Sequence, residues 1–271
     1  MDLLQNLHTH TRYDDGVDTP EEMIAAARAK GFTSIGFSGH SYMHYAPDHS
    51  MSREGTEAYK REIRALRERY RGEFEVFCGL EFDMYSQVDL TGYDYLIGSV
   101  HYLLRDGRHV GFDRSAEVVK AVIDEHFGGD GLAYAKAYYE SLAALPQYGS
   151  FDIVGHFDLI TKHSQRVPFF DEEAPAYRKA ALEAALALAG KIPFFEVNTG
   201  AISRGYRTTP YPTLFLMKEL RRMGFGAVIS SDCHDGRYLD CGFADSAELL
   251  RAAGFTERYI LTGSGFTAVP L

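Results

Sequence analysis

The chain has 271 residues, 45% hydrophobic and 24% charged, with a formal net charge of −10. That length exceeds one small domain but fits a single α/β barrel, and the composition is that of an ordinary globular protein. The acidic balance argues against a broad surface for nucleic-acid phosphates, and no apolar run approaches the roughly 20 residues needed to span a bilayer. The opening MDLLQNLHTH has no basic segment followed by an apolar one, so no export signal is read there. Three cysteines, Cys78, Cys233 and Cys241, form no CxxC pair and suit a reducing compartment. The chain is expected to be soluble and cytoplasmic, with no membrane and no nucleic-acid partner. A small anionic substrate remains open if cations line its pocket.

Strand-like runs come in the order LLQNLHT, TSIGFSG, EVFCGLEF, YDYLIGSV, FDIVGHF, IPFFEVNT, GAVISS and YILTGS. Helical segments separate most of them. The first is the clearest: Thr19 caps, Pro20 suits the first helical position, Glu22 completes a capping box, and Gly31 stops the helix. EAPAYRKAALEAALALAG and PTLFLMKELRRMG repeat the pattern of Pro or acidic start and Gly stop. Seven or eight strand–helix units in this length predict a closed parallel barrel, with an open doubly wound sheet as the alternative, in one domain over residues 1–271. Residues 104–131 are too long for a tight barrel connection and predict an insertion with its own helix near residues 117–125.

Histidines and carboxylates gather at the ends of these runs. His8 and His10 close the first, His40 follows IGFSG, Glu81 sits in FCGLEF, His101 follows IGSV, His156 follows DIVG, and Asp232 and His234 follow VISS. A parallel barrel brings all these strand ends to one face. Within His8-Thr9-His10 and Asp232-Cys233-His234, alternate residues point the same way, so each triplet aims two donors at the barrel mouth. Asp15, before Gly16, adds another oxygen, with Asp14 as its adjacent competitor. Imidazole and carboxylate together suit zinc, manganese or iron. His44, His49, His109, His126 and His163 lack this placement and read as loop or surface residues, the first two and His163 within reach of a substrate.

The motifs NLHTHTRYDDGVDTPEEMIAAARAKGF, GFSGHS, GLEFD, IGSVHYL, DIVGHFDLI, EVNTGAISRG and VISSDCHD, in this order over essentially the whole chain, resemble the PHP (polymerase and histidinol phosphatase) superfamily. Within it, the resemblance is to the histidinol-phosphate phosphatases. It implies a distorted TIM-like (βα)7 barrel with two to three divalent metal ions (Zn, Mn or Fe) at its C-terminal face. Carried over residue by residue, it implies one metal on His8, His10, Glu81 and Asp232. Glu81 bridges to a second on His101 and His156, and Asp15, His40 and His234 hold a third. The activity implied is hydrolysis of L-histidinol phosphate to L-histidinol and phosphate in histidine biosynthesis, with Glu81, Asp232 and His234 as catalytic residues. The alternatives are another small phosphate ester (nucleotide, phosphotyrosine or sugar phosphate) and a metal-binding protein without catalysis.

The chemistry supports metals. Uncatalysed monoester hydrolysis is so slow that accelerations up to ~10²¹ are required, whereas general acid or base help gives roughly 10² to 10⁴. A metal-bridging hydroxide attacking in line, with protonation of the leaving alcohol by Asp232 or a metal-bound water, meets that demand. Arg204 and Arg207 are candidates for a planar phosphate clamp, and Lys162 for a point charge. The loop YMHYAPDHSMSREG is long enough for a lid, with Asp48 placed to meet a cationic substrate tail. The sequence leaves the oligomeric state open.

Overall fold

The computed structural model describes residues 4–271, so Leu3, in the first predicted run, lies outside the described residues. The strands are β1 (Gln5–Asn6), β2 (Ser34–Phe37), β3 (Glu75–Asp83), β4 (Tyr95–Ser99), β5 (Tyr102–Arg105) and β6 (Arg108–Gly111). They continue as β7 (Ile153–Val154), β8 (Phe194–Asn198), β9 (Gly226–Ser230), β10 (Glu257–Thr262) and β11 (Gly265–Pro270). The helices are α1 (Pro20–Ala29), α2 (Arg53–Arg69), α3 (Ala116–Phe127), α4 (Gly131–Ala143), α5 (Pro175–Leu188), α6 (Gly200–Ser203), α7 (Leu214–Arg222) and α8 (Phe243–Ala252).

Seven strands pair in parallel in the order β1-β2-β3-β4-β7-β8-β9. The ring closes just beyond β1 and β9, where Thr9 bridges Cys233: the His10 amide donates to the Cys233 carbonyl at 2.8 Å and the Cys233 amide to the His8 carbonyl at 3.1 Å. This is a distorted seven-stranded TIM-like barrel, as the resemblance implied. At the start of α1, Glu22 N donates to Thr19 Oγ1 at 3.2 Å and Thr19 N to Glu22 Oε2 at 2.8 Å, the reciprocal cap read from the sequence.

The eighth apolar run does not join the ring. YILTGS supplies β10, which pairs antiparallel with β11 in a hairpin. Its role is to seal the N-terminal end of the barrel. The Gln5 amide nitrogen donates to the Leu261 carbonyl, and Leu261 N donates to Gln5 Oε1, each at 2.7 Å. Above this plug, Leu7, Phe77, Tyr95, Ile97, Ile153, Phe194 and Val228 form an apolar cluster with Leu261. Gly36 and Gly79 leave the space that the Tyr95 ring fills; a Cβ at either would collide with it. The predicted insertion holds a hairpin, β5–β6, turned by Asp106-Gly107 at positive φ, followed by α3, two residues longer than predicted at its C-terminal end. Among the described residues, no helix is long and apolar enough to cross a membrane.

Candidate metal centre

The closing bridge sets two triplets side by side. With Thr9 and Cys233 paired at the seam, His8 and His10 on one strand end and Asp232 and His234 on the other flank the same point of the mouth. Asp232 turns into it from a left-handed backbone conformation (φ 48°), uncommon outside glycine and of the kind that concentrates at functional sites.

Three carboxylates behind the mouth fix the imidazoles. Glu196 accepts from His8 Nδ1 at 2.9 Å, from the His156 amide at 2.7 Å and from Ser230 Oγ. Asp14 accepts from His10 Nδ1 at 2.6 Å and from the amides of His40 (2.9 Å) and Thr11 (3.0 Å). Asp83 meets His101 Nδ1 at 3.3 Å and accepts from Tyr45 Oη at 2.6 Å. A ring whose Nδ1 hydrogen is held this way presents the lone pair of Nε2, the arrangement found behind metal-binding histidines.

Those lone pairs converge on Glu81. Its Oε2 lies 3.2 Å from His8 Nε2, 3.5 Å from His10 Nε2 and 2.8 Å from His40 Nδ1. Its Oε1 lies 3.0 Å from His156 Nε2 and 3.4 Å from His101 Nε2, and those two nitrogens are 3.1 Å apart. Asp232 Oδ1 stands 3.3 Å from His10 Nε2, and Asp15 Oδ1 3.2 Å from His234 Nε2. Yet His8 Nε2, His10 Nε2, His40 Nδ1, Glu81 Oε2 and Asp15 Oδ1 are buried with no hydrogen bond among the described residues. Acceptors facing acceptors at these separations repel unless a cation lies between them. Ligands about 2.0 to 2.2 Å from a metal stand roughly 3 to 4 Å from one another, so the residues fit divalent cations. Among the described residues, three groups have ligand atoms within 4.8 Å of each other: His8, His10 and Asp232; His10, Asp15, His40 and His234; and His40, Glu81 and His101.

The proton equilibria of this cluster tell the same story. Burial opposes charge on His8, but Glu196, Glu81 and Asp232 together hold its pKa well above the usual imidazole value. Against the same burial, Asp14 raises His10 to about 10, and Glu81 with Asp83 raises His101 to about 9. Glu81 and Asp232 stay ionised despite burial, Glu81 through His8 and His40, Asp232 through Arg204 and His8. The mouth draws positive charge from whatever source is at hand, proton or metal.

A family model for the PHP domain matches residues 6–200. The chain belongs to the PHP domain family. A protein named probable histidinol-phosphatase from Deinococcus radiodurans is 29% identical over 268 residues, covering 94% of this chain and 95% of its own. The histidinol-phosphatase of Bacillus subtilis is 26% identical over 266 residues, covering 90% and 97%. The crystal structure of a histidinol phosphate phosphatase from Lactococcus lactis, complexed with zinc, L-histidinol and phosphate, superposes with a TM-score of 0.71 at 18% identity, covering 97% and 98%. At that identity the likeness establishes the fold.

The PHP mouth opens into a cavity of about 320 Å³ lined in part by Asp15, His40, His101, Asp232, His234 and Arg204. Arg204 Nη2 donates to Asp232 Oδ2 at 2.9 Å, and its Nη1 lies 3.1 Å from His234 Nδ1. Lys162 also lines the cavity, whereas Arg207 does not. Arg207 is buried, with Nη1 donating at 2.6 Å to both the carbonyl and the hydroxyl of Thr161, so it braces the neighbouring loop instead of facing the mouth. Asp48 is exposed and outside the cavity lining. Of the other histidines, only His49 lines the cavity, 3.5 Å from Asp15 Oδ2; His44 and His109 pack with Tyr45, and His163 against Tyr206. Asp14 is committed to His10 and two amides, which leaves Asp15 as the oxygen facing the centre. Sequence reading missed Asp14, Asp83 and Glu196 as orienting groups. A charged residue inside the apolar run IPFFEVNT, and Asp83 two residues beyond Glu81 on one strand face, were the available signals.

Proposed function

We propose that this PHP barrel is a metal-dependent phosphomonoesterase that hydrolyses L-histidinol phosphate to L-histidinol and phosphate in cytoplasmic histidine biosynthesis, all 271 residues forming one catalytic domain. The observation that carries the reading is the set of buried ligand atoms around Glu81 that have no hydrogen bond among the described residues, opening into a cavity lined by Arg204 and Lys162. Near-full-length likeness to histidinol-phosphatases selects the substrate. The free thiols of Cys78, Cys233 and Cys241 support a reducing compartment.

His8, His10, Glu81 and Asp232 would hold one cation; Glu81, His101 and His156 a second; Asp15, His40 and His234 a third, with zinc, manganese or iron as the chemistry of the donors allows. When bound, the cations polarise the phosphoryl group and lower the pKa of water. The remaining steps belong to the chain. Arg204, held by Asp232, presents its guanidinium to the phosphoryl oxygens, and Lys162 adds an ammonium. Asp232, beside Arg204 and lining the cavity, is the group placed to pass a proton between the attacking water and the oxygen of the leaving alcohol. Glu196, Asp14 and Asp83 hold the imidazoles in place throughout.

The test is phosphate release by protein loaded with manganese or zinc, metal content being measured on the same sample. Histidinol phosphate is set against a nucleotide, phosphotyrosine and a sugar phosphate. The reading requires histidinol phosphate to have the highest kcat/KM. A loaded protein that prefers another ester keeps the phosphoesterase and loses the substrate; one that hydrolyses none loses both.

A further inference from the structure

One carboxylate in the cavity belongs to none of the metal-ligand groups. Asp113 follows β6, and its backbone is pinned by the preceding Phe112, which is buried against Tyr134 and Tyr138 with ring centroids 5.9 and 5.6 Å away. Lys162 reaches it from the turn after β7. Its Nζ donates at 2.7 Å to both the Asp113 carbonyl and Oδ1, while the ammonium sits 5.0 Å from the Tyr206 ring centroid. Both side chains line the same cavity as Asp232, His234 and Arg204.

Lys162 is buried, but 31% of the Asp113 side chain stays exposed, and its Oδ2 receives no hydrogen bond among the described residues. An ammonium has three donor hydrogens, so Lys162, with two on Asp113, keeps one for a phosphoryl oxygen. A carboxylate bordering a phosphate site repels the ligand it borders, unless the ligand brings its own cation. The position already receives a primary ammonium, that of Lys162, on one side.

On the phosphatase reading proposed above, we infer that Asp113 accepts the substrate's ammonium through Oδ2 while Lys162 and Arg204 hold its phosphate, so that the site selects phosphate monoesters of amino alcohols. Histidinol phosphate has this shape, with its amine on the carbon next to the phosphorylated one. The exposed Asp48, outside the cavity, is not needed for that charge.

The experiment compares histidinol phosphate with 3-(imidazol-4-yl)propyl phosphate, the same ester without the amine, on the metal-loaded wild type and Asp113→Asn. The wild type is expected to favour the amine by about 10- to 100-fold in kcat/KM, the worth of a hydrogen bond between charged groups, and Asp113→Asn to bring that ratio close to one. Should Asp113→Asn fail to fold, the wild-type ratio decides: no preference for the amine overturns the inference. An equal loss on both esters in a folded, metal-replete Asp113→Asn also overturns it and leaves the phosphatase reading intact. If the wild type hydrolyses neither ester, the phosphatase reading falls, and this inference with it.

Discussion

The two ends of the barrel are built on opposite principles from the same strands. At the bottom, Leu7, Phe77, Tyr95, Ile97, Ile153 and Val228 pack into an apolar layer capped by the β10–β11 hairpin. A few residues further along the same strands, Glu81, Glu196 and Asp232 crowd with the buried imidazoles of His8, His10, His101 and His156. The lower layer contributes stability by removing apolar surface from water. The upper one gathers like-charged carboxylates and opposed lone pairs that need cations to be tolerable. The apolar filling of the barrel interior thus lies at the end away from the chemistry, while the mouth carries the costly groups.

Glu81 is where that contrast breaks most sharply. Glu81→Ala removes the oxygens that five imidazoles face, leaving their nitrogens without a counter-charge. Phosphate release is expected to fall to background and bound metal, by elemental analysis, below the wild-type content. Full turnover in a folded Glu81→Ala would exclude Glu81 as a bridge between metals. The opposite pattern is expected from Leu261→Ala, on the hairpin that closes the lower layer. It should cost about 2 to 5 kcal/mol in urea unfolding, through lost burial plus a cavity. Its kcat/KM on the metal-loaded protein should be close to wild type, and a large loss there would show that the two ends are not separable.

The same contrast explains what the sequence made legible. The mouth was readable because its chemistry is carried by rare residue types at strand exits: His8, His10, His101, His156 and the pair around Cys233 stand out against apolar runs. The outer carboxylates were not, since what marks Asp14, Asp83 and Glu196 is the imidazole each one meets. For Glu196 and His8 that partner lies 188 residues away in sequence. At the bottom, YILTGS has the apolar run of a barrel strand, and only its pairing with β11 makes it a plug. Arg207 and Asp48 misled for a related reason: a cation or carboxylate near a strand exit has the right chemistry, but which way it turns is decided by a distant partner such as Thr161.

Glu196 offers a finer cut between the ends, because it lies inside the barrel yet touches only the groups behind the mouth. Glu196→Gln preserves shape and removes the charge that fixes the Nδ1 hydrogen of His8. Metal affinity, measured by competition with a chelator, is expected to drop about 10- to 100-fold, with a smaller change in turnover once metal saturates. An unchanged affinity would make Glu196 a packing residue only.

The smallest expected effect is in pH, and it separates the ends without any substitution. In the metal-free protein, His10 and His101 have pKa values raised to about 10 and about 9. Groups raised on folding stabilise fully below their unfolded value near 6.5, and that contribution is lost as pH climbs through the folded value. Glu81 and Asp232, depressed on folding, contribute above their ordinary values near 4.5 and 3.8 and lose it as pH falls below them. The mouth of the metal-free protein is therefore best compensated between about pH 4.5 and 6.5. Its Tm should decline by on the order of a few degrees as pH rises from 6.5 to 9. With zinc or manganese bound, the cations take the place of those protons, and affinity should instead rise with pH because binding releases them. The apolar bottom titrates nothing in this range, so a decline of equal size in the loaded and metal-free proteins would place the pH sensitivity outside the mouth.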